Sequence, residues 1–169
     1  PDISLVLDVA AAYFSAPPLQ TGAHDPNKTG FTFQQLEMQL SSVIDPFFRF
    51  NANVVFSQFG VEIEEAYGTT TNLPGNIQCR AGQFLTRVGR INAMHPHTWD
   101  FTDQPLVNGK FFGAEGSRGL GAEISWLLPI PWYMEWVLSG NDPAGECCAR
   151  IFYEKKKKNI SGVHDILYT

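Results

Sequence analysis

Apolar and polar residues alternate with a period of two through most of this chain, which confines those segments to strands with one apolar and one polar face. In 35–41, Leu36, Met38 and Leu40 alternate with Gln35, Glu37, Gln39 and Ser41. In 48–57, Phe48, Phe50, Ala52, Val54 and Phe56 alternate with Arg49, Asn51, Asn53 and Ser57. In 119–128, Leu120, Ala122, Ile124, Trp126 and Leu128 face away from Gly119, Gly121, Glu123 and Ser125. In 132–139, Trp132, Met134, Trp136 and Leu138 oppose Tyr133, Glu135 and Ser139. Segments 3–14, 61–71, 77–88 and 164–169 complete a set of about eight strands, with no helix expected. The alternation fails at Glu64–Glu65, where a bulge or a rim is expected.

The connections are unequal. Ile44-Asp45-Pro46, Leu73-Pro74-Gly75-Asn76 and Pro129-Ile130-Pro131 are tight turns, and they follow every second strand. Of the others, Gln58-Phe59-Gly60 is moderately short, while 15–29, 89–117 and 140–163 are long. In an up-and-down meander all the tight turns then lie at one end, the form of a transmembrane barrel with short turns on one side and long loops on the other. Phe47, Phe48, Trp126 and Trp132 flank the tight turns, as the rings of an interfacial girdle do. They would equally suit the core end of a soluble β-sandwich or lipocalin-like barrel. The polar face holds Gln35, Glu37, Gln39, Arg49, Asn51, Asn53, Arg80 and Glu123, consistent with a wet lumen. The expectation is therefore an all-β fold, an antiparallel up-and-down transmembrane β-barrel. Residues 1–169 would be a single, partial barrel domain.

Composition narrows the function classes. No apolar run of about 18 residues occurs, so no helix of the membrane-spanning kind is expected, but barrel strands never produce such runs. Charged residues make up only 17% of the chain, below the roughly 25% of ordinary soluble domains. The net charge of −5 gives no general basic footprint for nucleic acid. Cys79, Cys147 and Cys148 have no CxxC spacing, so neither a disulfide framework nor a zinc knuckle follows. The chain starts at Pro1 and shows no signal peptide, which reads as a processed or truncated end. No GxSxG, HExxH, P-loop or GxGxxG motif appears, and the chain is not expected to be an enzyme.

The stretch 45–92 resembles the phosphate-selective porin-like family of bacterial outer membranes. The resemblance rests on Asp45-Pro46, on Glu64-Glu65-Ala66-Tyr67, and on Gly82-Gln83-Phe84 with Arg87, Gly89 and Arg90. The stretch that begins His95-Pro96-His97 and ends at Trp136 looks more like the subgroup labelled zinc-regulated outer-membrane receptors or porins. The similarity covers residues 3–139 and returns weakly in 149–153 and 165–169. It implies a larger barrel, of which this chain would be an N-terminal fragment of about half. The Lys155–Lys158 run departs from that pattern and puts 154–163 in doubt.

On this reading the protein is an outer-membrane channel for passive diffusion of small hydrophilic solutes or ions, anions such as phosphate included. Membrane lipid and the solutes would be its partners, with a homotrimer as the common assembly of such porins. An active receptor for a metal or metal chelate, and a soluble β-barrel binding module, are the alternatives. Pore or constriction candidates are Arg49, Arg80, Arg87, Arg90, Asp100, Asp103, Lys110 and Arg118. Arg49 and Arg80 would form a basic ladder or, alternatively, ion pairs with Glu37, Glu62, Glu64 or Glu123. The loop 89–117 would fold into the lumen or lie across its mouth. His95 and His97 are candidate ligands for zinc, since imidazole suits such ions. They would need Asp100, Asp103 or His24 to join them; otherwise they are turn residues, with Trp99 and Phe101 packing in the barrel mouth. No other cofactor is expected.

Overall fold

The computed structural model describes residues 1–143. The strand expected at 164–169, the run Lys155–Lys158, Cys147 and Cys148 lie outside the described residues.

The chain folds as one antiparallel sheet of seven strands in sequence order. These are β1 (Asp2–Ala12), β2 (Gly30–Asp45), β3 (Phe48–Ser57), β4 (Gly60–Thr70), β5 (Ile77–Leu85), β6 (Arg118–Leu127) and β7 (Glu135–Pro143). Each strand pairs with the next, and β1 and β7 are the two edges, so the sheet is all-β and open rather than closed into a barrel. No helix of the described residues is long and apolar enough to cross a membrane.

Period two sets the two faces. Ile3, Leu5, Leu7 and Val9 of β1 stand out on one face and are all more than half exposed. The register continues this face through Met38 and Val54 and across to Leu120, Ile124, Trp136 and Leu138. The opposite face carries Gln35, Glu37, Asn53, Glu64, Glu65, Glu123 and Ser125, all buried. Among the described residues, buried polar and charged side chains outnumber buried hydrophobic ones.

The expected bulge is present. Asn53 pairs with Glu65 and Val54 with Ile63, leaving Glu64 as the extra residue of β4. A regular strand would send Glu64 and Glu65 to opposite faces; the inserted residue lets both carboxylates reach the polar face. A second bulge leaves Gln34 between Phe33 and Gln35, opposite Asp8 and Val9. The turn after β2 is fastened by Asp45, whose Oδ1 accepts the N–H groups of Phe47 (2.7 Å) and Phe48 (2.8 Å).

Three expectations need correction. The long connection 86–117 contains a helix, α1 (Leu106–Phe112), where none was expected. The last described strand runs over Glu135–Pro143, so Trp132 and Met134 precede it and no loop opens at 140. Two strands also end earlier than their patterns suggest, at Ala12 and Leu85.

Gly82 marks a tight backbone approach at a positive φ. Its φ is +134°, and an added Cβ would collide with the carbonyl oxygen of Ala66 and lie 2.7 Å from Tyr67 Cα. Gly82→Ala is expected to lower the unfolding free energy by about 1–3 kcal/mol. Chemical denaturation of the folded protein checks this, and an unchanged midpoint would contradict it.

Candidate functional site

The connection 86–117 folds back onto the polar face of the sheet. Asn92 closes its neck: Nδ2 donates to the carbonyls of Thr86 (2.8 Å) and Ser117 (2.9 Å), and Oδ1 accepts from Ser117 N–H (2.7 Å). The connection between β1 and β2 is tied to the same loop. Asp25 Oδ2 accepts from Gly22 N–H and Oδ1 from Gln104 N–H, at 2.8 and 2.9 Å. Burial nonetheless pushes the Asp25 carboxyl above its ordinary range, against these two donors.

His95 is where the loop meets the sheet. Its Nδ1 lies 3.2 Å from Glu64 Oε2 and 3.6 Å from Glu37 Oε1. Its Nε2 lies 3.1 Å from Glu65 Oε2 and 2.7 Å from Asn53 Nδ2. Glu37 comes from β2, Asn53 from β3 and the two bulge carboxylates from β4, so one imidazole spans three strands. Burial disfavours its charge, but the hydrogen bonds to Glu64 and Glu65, with the charges of Glu64 and Glu37, outweigh this and push the pKa up to about 10. His97 stacks on His95, with ring centres 5.8 Å apart, and its Nδ1 lies 3.0 Å from Glu37 Oε2.

The basic candidates divide. Arg80 pairs with Glu123 (2.9 Å) and lies over the rings of Phe84 and Tyr67. Arg87 reaches Glu123 (3.1 Å) and Glu135 (2.8 Å), and Arg118 pairs with Glu62. Arg80 is therefore one of a set of ion pairs and not a step in a basic ladder. Arg49 is exposed at the tight-turn end of β3, and Arg90 is exposed in the loop. Asp100, Asp103 and Lys110 are exposed as well, and Asp100 lines a cleft of about 320 Å³ with Asp8, His24, Gln34, His97 and Trp99.

The structure brings His95 together with Glu37 and Glu64; Asp100, Asp103 and His24 do not join that group. His24 faces Glu115 at 3.9 Å instead. Glu65 and Asn53 join the site beyond the residues that the sequence pattern points to. The signal for Glu65 was the broken alternation at the bulge; for Asn53 there was only its place on the polar face.

No protein-family profile matches the chain, and no solved structure matches it. An uncharacterized protein of Aquifex aeolicus (strain VF5) is similar to it. The two are 36% identical over 150 residues, which cover 79% of this chain and 32% of that protein. The chain thus spans about a third of the length of this relative.

The raised pKa has a defined consequence. Protonated His95 stabilises the docked loop, and that contribution is fully present below its ordinary value of 6.5 and lost as pH rises through about 10. Limited proteolysis of the loop with subtilisin, normalised at each pH to its cleavage of an unfolded substrate, should be slowest near pH 6.5 and quicken toward pH 10. The substitution His95→Gln should give fast cleavage at every pH. Cleavage of the unmodified protein that does not depend on pH would contradict the assignment.

Proposed function

We propose that this chain is part of an outer-membrane porin-like barrel, and that its polar face lines a passive channel for small hydrophilic solutes and ions. The observation that carries the proposal is the inverted polarity of the sheet. Ile3, Leu5, Leu7 and Val9 stand exposed while Glu37, Glu64, Glu65 and Glu123 are buried on the other face. Burying a large apolar side chain is worth roughly 1.5–3 kcal/mol relative to leaving it in water. A soluble binding module would forgo that gain along the whole outer row, while a lipid surface supplies it. Soluble barrels also place apolar side chains inside, the reverse of this arrangement. The connections add support: among the described residues the two long ones, 13–29 and 86–117, leave the sheet at the same end, which they share with the tight turn at 58–59.

Closure into a barrel is part of the proposal. Among the described residues the outer edges of β1 and β7 have no partner strand, and lipid cannot satisfy unpaired backbone groups. In the full-length protein, further strands would pair with them.

The charge pattern argues for cations over phosphate. Arg80, Arg87 and Arg118 are neutralised by glutamates. At the loop junction three carboxylates converge on His95. Rings of acidic side chains favour cations in a pore. The resemblance to phosphate-selective porins would then carry over the barrel but not the anion preference.

Planar-bilayer recording of the full-length protein tests this. It should give discrete conductance steps, with a reversal potential in a KCl gradient that favours potassium. Absence of steps would sink the channel reading and leave an active receptor as the better account. Steps with an anion preference would overturn the charge argument alone.

A further inference from the structure

We propose that Glu37, Glu64 and His95 form a binding site for a divalent transition-metal ion such as zinc, where the loop meets the sheet. One carboxylate oxygen from each glutamate and one imidazole nitrogen lie within 4.8 Å of one another. The two distances from His95 Nδ1, 3.2 Å to Glu64 Oε2 and 3.6 Å to Glu37 Oε1, bracket what an ion would need. Tetrahedral ligands about 2.1 Å from zinc stand about 3.4 Å apart. Small side-chain movements would therefore let the three atoms share one ion.

A second observation points to a cation. The Glu37 side chain is 3% exposed, and its Oε2 is a buried oxygen without an aligned hydrogen bond, although His97 Nδ1 lies 3.0 Å away. Glu37 Oε1 is the oxygen nearer His95, and three buried carboxylates, Glu37, Glu64 and Glu65, converge on that ring; a divalent ion taking the place of the Nδ1 proton would offset their charge more fully. The surroundings fit the same role. With Nδ1 on the ion, the Nε2–H of His95 would donate to Glu65 Oε2, now 3.1 Å away. A carboxylate behind a ligating imidazole fixes its tautomer and direction. His97 lies outside the three-atom set and steadies Glu37 from the other side. Oxygen and imidazole donors together suit zinc, and no thiol takes part.

The bulge makes the site possible. Glu64 is the inserted residue, and without it one of the two bulge carboxylates would face away from His95. The inference rests on this junction and not on the channel reading, and its test reads metal binding rather than conductance.

The test is isothermal titration calorimetry of the chelator-treated, full-length protein in detergent, with zinc chloride as titrant. One saturable ion per chain is expected. The substitutions Glu64→Gln, which keeps the side-chain shape, and His95→Ala should each weaken it at least tenfold. Glu65→Gln should weaken it by about 10–100-fold. Asp103→Asn, outside the cluster, should leave it unchanged. X-ray absorption at the zinc edge should show oxygen and nitrogen neighbours with an imidazole signature. No saturable binding, unchanged affinity in Glu64→Gln and His95→Ala, or a sulfur shell would each overturn the proposal.

Discussion

Each interior strand of this sheet commits its backbone N–H and C=O groups to two neighbours, so only its side chains meet the surroundings. Alternation then sorts those side chains without further instruction. Leu5 and Leu7 go one way; Val6 and Asp8 go the other. Because the strands pair in sequence order, the sorting is inherited from strand to strand through the register. Ser41 faces Asn51, Asn51 faces Tyr67, and Tyr67 faces Gly82, all on the polar side. The apolar side is left for whatever lies beyond the sheet, and the polar side for water, ions and the long loop.

Departures from strict alternation are where the polar face acquires its chemistry. The extra residue in β4 places two successive carboxylates beside one imidazole. That imidazole arrives on a loop whose neck is closed by Asn92 and whose outer part is tied to the 13–29 connection through Asp25. The position of His95 is thus set from both sides, by a bulge in the sheet and by a fastened loop. Glu37, from β2, joins the group across β3: it pairs with Val55, which pairs with Glu62, two residues before Glu64.

Much of this was legible in the residues. Phe48–Ser57 alternates except at Val55, and the strand has those limits. The break at Glu64–Glu65 announced the bulge. The opening of β2 was hidden, because its own bulge sets polar Gln34 beside polar Gln35 and erases the period just where the strand begins. Helix α1 was hidden for another reason. It is short, carries Asn108 and Gly109, and has no side-chain cap, so local preference argues against it. Gly109 instead fits it against Thr21, where a Cβ would clash, and that contact exists only after folding. The partners of His95 were hidden because Glu37 and Glu64 lie 58 and 31 residues before it in the sequence (95 − 37 and 95 − 64). Only the strand register brings them together.

The central claim is that the apolar face meets lipid and the polar face meets water. Nitroxide labels at single introduced cysteines test it most directly, in the full-length protein reconstituted into lipid, with the native cysteines replaced. Labels at Leu5, Leu7, Leu120 and Ile124 should collide with dissolved oxygen in preference to a water-soluble nickel chelate. Labels at Ser4, Val6, Asn51 and Ser139 should show the opposite preference. Equal access of the chelate to both sets, or protection of the leucine positions from both reagents, would contradict the account.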